Sequence, residues 1–377
     1  MIAYLIAVIP ILIWAYLLVG RGQFWRIAAR RSLPSTASRN VVVVIPARNE
    51  AVVIGVAVDS LARQVFDGSI HLIVVDDGSS DGTAEAALAA ARAAGALPRF
   101  TLIRSAPLPQ GWTGKLWALS QGVTAAGALG ADYLLFTDAD ICHEPRSVAR
   151  LVANAEAHDR DLVSHMVKLA AATLAERLLI PAFVFFFFKL YPPEWVADPR
   201  RELGAAAGGC MLIRPQALVR IGGLQAIRSC IIDDCALARA VKHSGGRISV
   251  ELSRDTRSLR SYQSSAQIGA MISRTAFAQL HHSYSVLAAT LVGLFLTYLL
   301  PLILLFLGDP VLFGMGLAGL LLMSVGYLPM VRFYGLSPLW SVCLPLIAIF
   351  YAGAVIHSAV QYARGHGGEW KGRVQDA

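Results

Sequence analysis

Charged side chains are scarce in this chain of 377 residues. Asp, Glu, Lys and Arg together make up 15% of it, and apolar types make up 56%, whereas an ordinary soluble domain is about 25% charged. This composition excludes a disordered chain, a coiled coil and a collagen-like fibre. It also argues against a wholly soluble protein. At about 100–200 residues per domain, the length predicts two or three structural units.

Acidic residues are fewer than basic ones, 25 against 33, which gives a formal net charge of +8. An excess of basic residues can bind nucleic acid, anionic lipid or an anionic substrate. The basic residues are scattered along the chain, so no nucleic-acid partner is expected. The apolar excess favours a membrane and an anionic substrate instead. The cysteines lack the paired Cys-x-x-Cys spacing of zinc sites, which predicts reduced thiols on the cytoplasmic side.

The first twenty residues contain no charged side chain. Twenty helical residues span about 30 Å, the hydrocarbon thickness of a bilayer. A cleaved signal peptide would begin with basic residues and end at a small-residue cleavage site. Here the start is not basic, and Arg21 and Arg26 follow the apolar segment at once. The sequence therefore predicts an uncleaved transmembrane anchor over residues 1–20.

Charged residues are again nearly absent near the C-terminus, where three helix-length stretches are interrupted only near Asp309 and Arg332. We predict three further membrane helices within residues 284–363, followed by a tail, 364–377. The Lys/Arg bias after the anchor places the domain at 35–280 in the cytoplasm. Four crossings would put the tail outside, although it contains Arg364, Lys371 and Arg373. Either one apolar stretch is re-entrant or the bias of the tail is too weak to matter.

Four consecutive phenylalanines lie within residues 178–190. This segment is too short to span a bilayer. It is compatible with a core helix or strand, but we favour an interfacial element that rests the domain on the membrane.

Short apolar runs alternate with helical patterns in the first half of the middle domain. The first run, residues 41–46, is almost entirely β-branched, which suits a strand that is covered on both faces. The alternation predicts an α/β fold with a doubly wound, mostly parallel sheet. Ligands of such sheets bind outside the carboxyl ends of the strands. The predicted strands are 41–46, 71–75, 99–104 and 133–137.

Acidic residues follow two of these strands directly. Asp138 and Asp140 follow the fourth strand, and carboxylates spaced in this way can share one Mg²⁺ or Mn²⁺ ion whose other ligands are phosphate oxygens and water. Asp76 and Asp77 follow the second strand, where they can accept hydrogen bonds from the base and ribose of a nucleotide. Both pairs also suit ordinary solvated turns.

Three further segments carry candidate residues. Lys115 precedes a helix, where it can meet a diphosphate or be a plain surface lysine, and its glycine-containing loop lacks the P-loop spacing. Asp233 and Asp234 precede an apolar helix, where they can act as N-caps or as a general base. Small residues at 204–210 either lead into a core strand or admit a ligand close to the backbone.

Taken in order, these motifs resemble those of family 2 glycosyltransferases of the GT-A fold, which implies a Rossmann-like nucleotide-binding half of the sheet. The subfamily that the chain is most similar to is the hopene-associated glycosyltransferases of bacterial hopanoid clusters, and ceramide glucosyltransferases are more distantly similar. The matching elements are VVVVIPARNE (41–50), IVVDDGSSDGT (73–83), GKLWAL (114–119), LLFTDAD (134–140), GGCMLIR (208–214) and IDDCALA (232–238).

The resemblance implies a role for each matching position. A nucleotide-sugar donor, in this resemblance a UDP-sugar, would be bound by Pro46, Arg48, Glu50, Asp76, Asp77, Lys115 and Asp138. The metal, Mg²⁺ or Mn²⁺, would be held by Asp138 and Asp140. The catalytic residues would be Asp234 as base, with Asp233 beside it, and Arg274. The acceptor region would include Gly208, Gly209 and Cys210.

The same resemblance implies a multi-pass protein of a bacterial-type inner membrane that transfers one sugar to a lipid hydroxyl with inversion, in hopanoid or glycolipid synthesis. Processive relatives carry Gln-x-x-Arg-Trp near the last spans. Here Arg274 is retained, but Met271 and Thr275 replace the Gln and Trp, which suits a single transfer. A carboxylate base with a pKa near its ordinary value is ionised at pH 7, so the reaction needs no large shift of that pKa. A polyprenyl-phosphate sugar transferase and a non-catalytic membrane scaffold are the alternatives.

Overall fold

The computed structural model describes residues 1–26 and 38–365 of the chain. The described residues form two compact units. Residues 1–26, 171–194 and 261–365 make up the helical unit, and residues 38–170 and 195–260 make up the α/β unit. Two segments of the middle domain predicted over residues 35–280, namely 171–194 and 261–280, therefore belong to the helical unit. Its predicted start and the tail from residue 366 lie outside the described residues.

The α/β unit is built on one eight-stranded sheet with the order β3-β2-β1-β4-β7-β6-β8-β5. The first four strands in this order are parallel, while β7 is antiparallel to both of its neighbours and β5 is antiparallel to β8. The predicted doubly wound, mostly parallel α/β sheet is confirmed. The strands are β1 Asn40–Ala47, β2 Ser69–Asp76, β3 Phe100–Arg104, β4 Tyr133–Thr137, β5 Ile141–His143, β6 Leu162–Lys168, β7 Cys210–Ile213 and β8 Ile248–Ser258.

Alternate side chains of the β1 run face opposite sides of the sheet, and both sides are covered. Val41 and Val43 pack in the core cluster that also contains Ile54 and Val148 of two covering helices. On the other side, a helix approaches so closely that a Cβ on its Gly122 would lie 2.2 Å from Val44 Cγ1. Burial on both faces explains why β1 is a continuous apolar run rather than an alternating one.

Helices connect the strands and continue into the helical unit. The α-helices are α1 Ile2–Val19, α2 Ala51–Ala62, α3 Thr83–Ala93, α4 Gly114–Ala126, α5 Ser147–Ala157, α6 Leu174–Leu190, α7 Pro193–Ala197, α8 Pro215–Arg220, α9 Asp233–His243, α10 Ser265–Gln279, α11 Tyr284–Leu294, α12 Leu300–Leu304, α13 Pro310–Phe333 and α14 Leu344–Ala363.

Four segments of the helical unit are long and apolar enough to cross a membrane. The first is α1, and the second joins α11 to α12 through a π-helical turn, Phe295–Leu299. The third is α13, and the fourth joins a 3-10 turn, Pro338–Cys343, to α14. The number and order of these apolar helices agree with the sequence, one at the N-terminus and three at the C-terminus.

The phenylalanine-rich segment forms most of α6. A capping box starts this helix, because the Thr173 hydroxyl and the Glu176 carboxylate each accept a hydrogen bond from the backbone of the first turn. Phe185 packs against Phe24 and Tyr327, with ring centroids 5.3 and 5.1 Å apart. The segment therefore packs in the core of the helical unit, and its position at a membrane surface stays a prediction.

Helices α1 and α13 are in close contact through small residues. A Cβ on Gly326 of α13 would lie 3.0 Å from Leu18 and 3.2 Å from Trp14. The Trp14 indole N–H donates to the Thr297 carbonyl at 2.9 Å, and its ring meets Tyr298 edge-on. Such close approach at small residues is typical of helices packed within membranes.

Candidate active site

The candidate site lies at the carboxyl ends of three parallel strands. β1 ends at Ala47, β2 at Asp76 and β4 at Thr137, so the residues that follow them share one edge of the sheet. The chain order of the strands reverses between β1 and β4. A reversal of this kind opens a crevice at the sheet edge, which is where ligands of open α/β sheets bind.

Lys115 brings two of the predicted aspartate pairs together. Its ammonium lies 3.0 Å from Asp138 Oδ1, just past β4, and 3.4 Å from Asp233 Oδ2, in the first turn of α9. Burial alone would lower the pKa of Lys115, but Asp138, Asp233 and Asp234 raise it above its ordinary value. The lysine is therefore a permanent cation among three carboxylates and not a plain surface lysine.

Asp234 is held by the backbone on both of its carboxylate oxygens. Oδ2 accepts from the Gly208 N–H at 2.8 Å, and Oδ1 accepts from the Cys235 N–H at 2.7 Å. Burial and the neighbouring Asp233 raise the pKa of Asp234 to about 6, against the opposing effect of Lys115. The carboxylate is desolvated beside a second acid, yet a pKa near 6 leaves it ionised at pH 7, as a general base requires.

Asp140 takes part in a second charge network. Its Oδ2 accepts from the Ser258 hydroxyl at 3.0 Å and from Arg260 Nε at 3.2 Å. The other end of the same guanidinium lies 2.7 Å from Glu50 Oε1. Glu50, predicted to contact nucleotide, thus lies in a chain of charges that fixes Asp140.

Asp76 and Asp77 lie at the end of β2, beside Arg48. Both acids are buried. Asp76 Oδ1 accepts from the Ser79 N–H at 3.2 Å, and Arg48 Nη1 is 3.8 Å from Asp77 Oδ2. Pro46 lies within β1, in register with Val75. The turn chemistry and the predicted nucleotide contact are both compatible with this geometry.

The small residues before β7 lie next to Asp234. A Cβ on Gly208 would lie 3.2 Å from both Asp234 Oδ2 and Lys115 Nζ, so glycine leaves the space that these groups occupy. Gly209 O accepts from the Thr137 hydroxyl at 2.9 Å. Cys210 is buried in β7, and burial raises the pKa of its thiol to about 12. Cys210 is therefore a packed thiol, while Gly208 borders the site.

The two acids of the Asp-x-Asp motif suit a divalent cation that is only partly held by protein. Among residues 1–26 and 38–365, no group of three or more His, Cys, Asp or Glu side chains forms a metal site. Asp138 is 37% exposed at its side chain, whereas Asp140 is oriented by Arg260. Mg²⁺ takes one or two carboxylates and completes its shell with phosphate oxygens and water. The donor set fits such an ion.

Two arginines differ in how they relate to the sequence prediction: one contacts the site without having been predicted, and the other was predicted but lies in the helical unit. Arg260 is a contact of Asp140 that the sequence did not indicate, since no motif marks an arginine at the end of a strand 120 residues further along the chain. Arg274, predicted to be catalytic, lies exposed on α10 of the helical unit. Its catalytic role stays a prediction.

A comparison with protein families gives one match, which lies within the α/β unit and the segment 171–194 that interrupts it along the chain. Residues 42–221 match the model of glycosyl transferase family 2. The family 2 match runs from β1 to the end of α8, so it includes Asp77, Lys115 and Asp138. It ends before α9, which carries Asp233 and Asp234. A comparison with curated proteins gives no significant match.

Several solved structures are similar to this chain. The mannosyltransferase PcManGT from Pyrobaculum calidifontis, in complex with GDP-Man and Mn²⁺, is 17% identical with a TM-score of 0.55, over 95% of this chain and 99% of that one. This likeness shows a shared fold. S. aureus TarS is 16% identical, over 63% of this chain and 40% of that one, with a TM-score of 0.42. Glucosyl-3-phosphoglycerate synthase from Mycobacterium tuberculosis is 19% identical, over 62% and 76%, with a TM-score of 0.38.

Proposed function

We propose that the protein is a membrane-bound, inverting glycosyltransferase that moves one sugar from a nucleoside-diphosphate sugar to a lipid hydroxyl group. The observation that carries this proposal is the position of Lys115 between Asp138 and Asp233. It brings the candidate metal-binding motif and the candidate base to one edge of the sheet. The family 2 match over residues 42–221 supports glycosyl transfer as the reaction class.

The donor would lie across the carboxyl ends of β1, β2 and β4. Asp76 and Asp77 would accept hydrogen bonds from the nucleoside, with Arg48 beside them. The resemblance in the sequence favours a UDP-sugar, and GDP-Man in PcManGT supports a nucleoside-diphosphate donor more generally. Lys115 would lie against the diphosphate. Asp138 and Asp140 would hold Mg²⁺ or Mn²⁺, which supplies charge neutralisation on the leaving diphosphate when bound.

Asp234 is our candidate for the general base. The backbone N–H groups of Gly208 and Cys235 fix its carboxylate. In the reaction, the acceptor oxygen forms a bond to the anomeric carbon while the bond from that carbon to the diphosphate oxygen breaks. The hydroxyl proton moves to Asp234, and the nucleoside diphosphate leaves with the bonding pair. Attack from the face opposite the leaving group inverts the anomeric centre.

The four long apolar helices support a lipid acceptor. A lipid hydroxyl remains at the membrane surface, so an enzyme anchored there needs only to present its base at that depth. A hopanoid or another glycolipid precursor fits this chemistry and the resemblance in the sequence. A polyprenyl-phosphate acceptor is the second candidate, since it also partitions into the bilayer. A non-catalytic scaffold would not need the three groups of acids.

The test is nucleoside-diphosphate release by membranes that contain the full chain, with a panel of UDP- and GDP-sugars and native lipid extract, with and without Mg²⁺ or Mn²⁺. We expect cation-dependent release by the wild-type chain. Asp234→Asn should lower turnover about 10²–10⁴-fold, the usual contribution of a general base. Binding of the nucleotide should persist, because an asparagine oxygen can still accept from the Gly208 N–H.

Asp59→Asn is the matched control, because this exposed acid only pairs with Arg63 on the surface of α2. It should leave the rate unchanged. Full turnover by Asp234→Asn would remove Asp234 from the role of base. Absence of release with every donor would favour the scaffold. Mass spectrometry of the lipid product separates a lipid glycoside from a polyprenyl-phosphate sugar.

A further inference from the structure

The last apolar segment, Pro338–Ala363, is long enough to cross a membrane, yet a fourth crossing conflicts with the basic tail. The contacts of the helical unit decide which side each end of this segment occupies. They do not depend on the proposed activity. The three other apolar segments define the two sides of the membrane.

The N-terminal end of α1 marks one side of the membrane. The Tyr4 hydroxyl donates to Asp309 Oδ2 at 2.7 Å, so the start of α1 lies at the connection between α12 and α13. Near the opposite end of α1, Trp14 and Leu18 pack against Gly326 of α13. The last turns of α13 therefore lie on the side where α1 ends. The start of α11 lies on that side too, because α11–α12 and α13 run in opposite directions from Asp309.

α14 begins on the side where α13 ends. Only residues 334–343 connect the two helices, and part of this connection is the 3-10 turn Pro338–Cys343. That turn packs along α13 and does not extend away from it. The Leu336 N–H still donates to the Val331 carbonyl, and a six-residue 3-10 turn rises only about 12 Å, so Leu344, the first residue of α14, lies on the side of the bilayer where α13 ends.

α14 ends on the same side. The Phe277 N–H donates to the Ser358 hydroxyl at 3.0 Å. The Tyr362 ring stacks on His282 with centroids 4.1 Å apart, and Phe277 lies 5.1 Å from Tyr284, the first residue of α11. The C-terminal end of α14 thus lies beside the start of α11, which is the entry of the second apolar segment into the membrane.

We infer that α14 does not cross the bilayer but lies along its cytoplasmic leaflet, with one face on α10 and the other against lipid acyl chains. A single unbroken helix with both ends on one side cannot turn back within the membrane as a re-entrant loop does. Ser273 of α10 donates to the Ala354 carbonyl at 2.9 Å, so α10 covers one face. The other face exposes Leu346, Ile349, Ile356 and Val360.

The bilayer is the occupant that fits this exposed face. The exposed side chains of this face are apolar except for His357, which lies 3.2 Å from the Ser273 hydroxyl of α10, and α14 contains no charged residue. Three crossings then leave the N-terminus outside and the tail in the cytoplasm. The positive charge of the tail, with Arg364, Lys371 and Arg373 in its sequence, then agrees with the Lys/Arg bias of cytoplasmic segments. The conflict in the sequence disappears without a re-entrant loop or a weak bias.

The experiment uses two full-length variants and a membrane-impermeant maleimide. One variant carries a cysteine added after Ala377, and the other carries Leu307→Cys, at an exposed position beside Asp309. The native chain gives the background labelling of its own cysteines. In intact cells we expect Leu307→Cys to be labelled above background and the added cysteine to be labelled only after permeabilisation.

Labelling of the added cysteine in intact cells, as for Leu307→Cys, would overturn the inference. A second readout covers the case in which the added cysteine reacts under neither condition. Green fluorescent protein fused after Ala377 fluoresces in the cytoplasm but not after export through the bacterial general secretion route. A fluorescent fusion supports the inference, and a full-length but dark fusion contradicts it.

Discussion

Lys115 determines the electrostatics of the candidate site at the scale of single residues. Its ammonium is shared by Asp138 and Asp233 and lies near Asp234. The cation favours the ionised form of Asp234, whereas burial and Asp233 favour the protonated form. The protonation of the candidate base is therefore a balance that one substitution can move.

This balance predicts the pH dependence of the reaction. Because burial and Asp233 raise the pKa of Asp234 to about 6, kcat/KM should be constant above that pH and fall about tenfold per pH unit below it, where the base is protonated. Lys115→Gln removes the charge that lowers the pKa, so the acid limb should move to higher pH. The measurement is kcat/KM for nucleoside-diphosphate release between pH 4.5 and 8.5.

Lys115→Arg is the control, because it keeps the positive charge. Its acid limb should stay near that of the wild-type chain, even where the altered shape lowers the rate. The position of the limb is the readout, since loss of donor binding alone would lower the whole profile without shifting it. An unshifted limb in Lys115→Gln would show that Lys115 does not act on the base.

Single residues of the site were predictable from the sequence only where a motif carries them. Asp76, Asp138 and Asp234 each follow a strand or precede a helix in a recognisable pattern. Arg260 was missed, because its contact with Asp140 arises from the return of β8 across the sheet. The raised pKa of Asp234 was also missed, since desolvation depends on packing that no local pattern encodes.

At the scale of elements, the first four strands of the sheet were predicted with small errors at their ends. Their apolar β-branched runs and the helical patterns between them are local signals. The other half of the sheet, in which parallel and antiparallel pairs are mixed, was not predicted beyond the apolar run of β7. β5, β6 and β8 are short or mix polar with apolar residues, and their pairing joins segments far apart in the chain.

The contact between α4 and the sheet gives a prediction at this scale. A Cβ on Gly122 would lie 2.2 Å from Val44 Cγ1 and 3.2 Å from Val75 Cγ2. Gly122→Ala should therefore push α4 away from β1 and β2 and destabilise the α/β unit by about 1–3 kcal/mol, the usual cost of overpacking. Thermal unfolding in detergent measures the change.

Gly127→Ala provides the matched control at the end of the same helix. A Cβ there meets nothing within 4 Å, and the residue already has helical dihedral angles. This variant should melt at or slightly above the temperature of the wild-type chain. Equal melting of both alanine variants would contradict the close packing of α4.

At the scale of the whole molecule, the two units are interleaved along the chain. The α/β unit is interrupted after Ala170 and resumes at Trp195, and the segment between them belongs to the helical unit. The sequence indicated an apolar insertion here but not that it packs with the membrane helices. In the structure, Phe186 of α6 contacts Tyr298 and Tyr351.

A fragment of residues 38–260 should therefore be poorly soluble without detergent. It retains α6 but lacks Phe24 and Tyr327, which cover Phe185, and the two tyrosines that contact Phe186. Size-exclusion chromatography with and without detergent measures the association. The same fragment with Phe185→Gln and Phe186→Gln should show a larger monomeric fraction, and equal aggregation of both fragments would count against this explanation.

The glycine-lined contact between α1 and α13 has a consequence for chimeric proteins. Trp14 fills a recess shaped by Gly326 and is fastened to the Thr297 carbonyl. An unrelated helix of equal length and hydrophobicity would still insert into the membrane, but it would lack the indole ring that fills this recess. α1 therefore contributes specific packing as well as membrane attachment. A chimera with an unrelated apolar helix in its place would still be anchored in the membrane, but its helices would pack poorly.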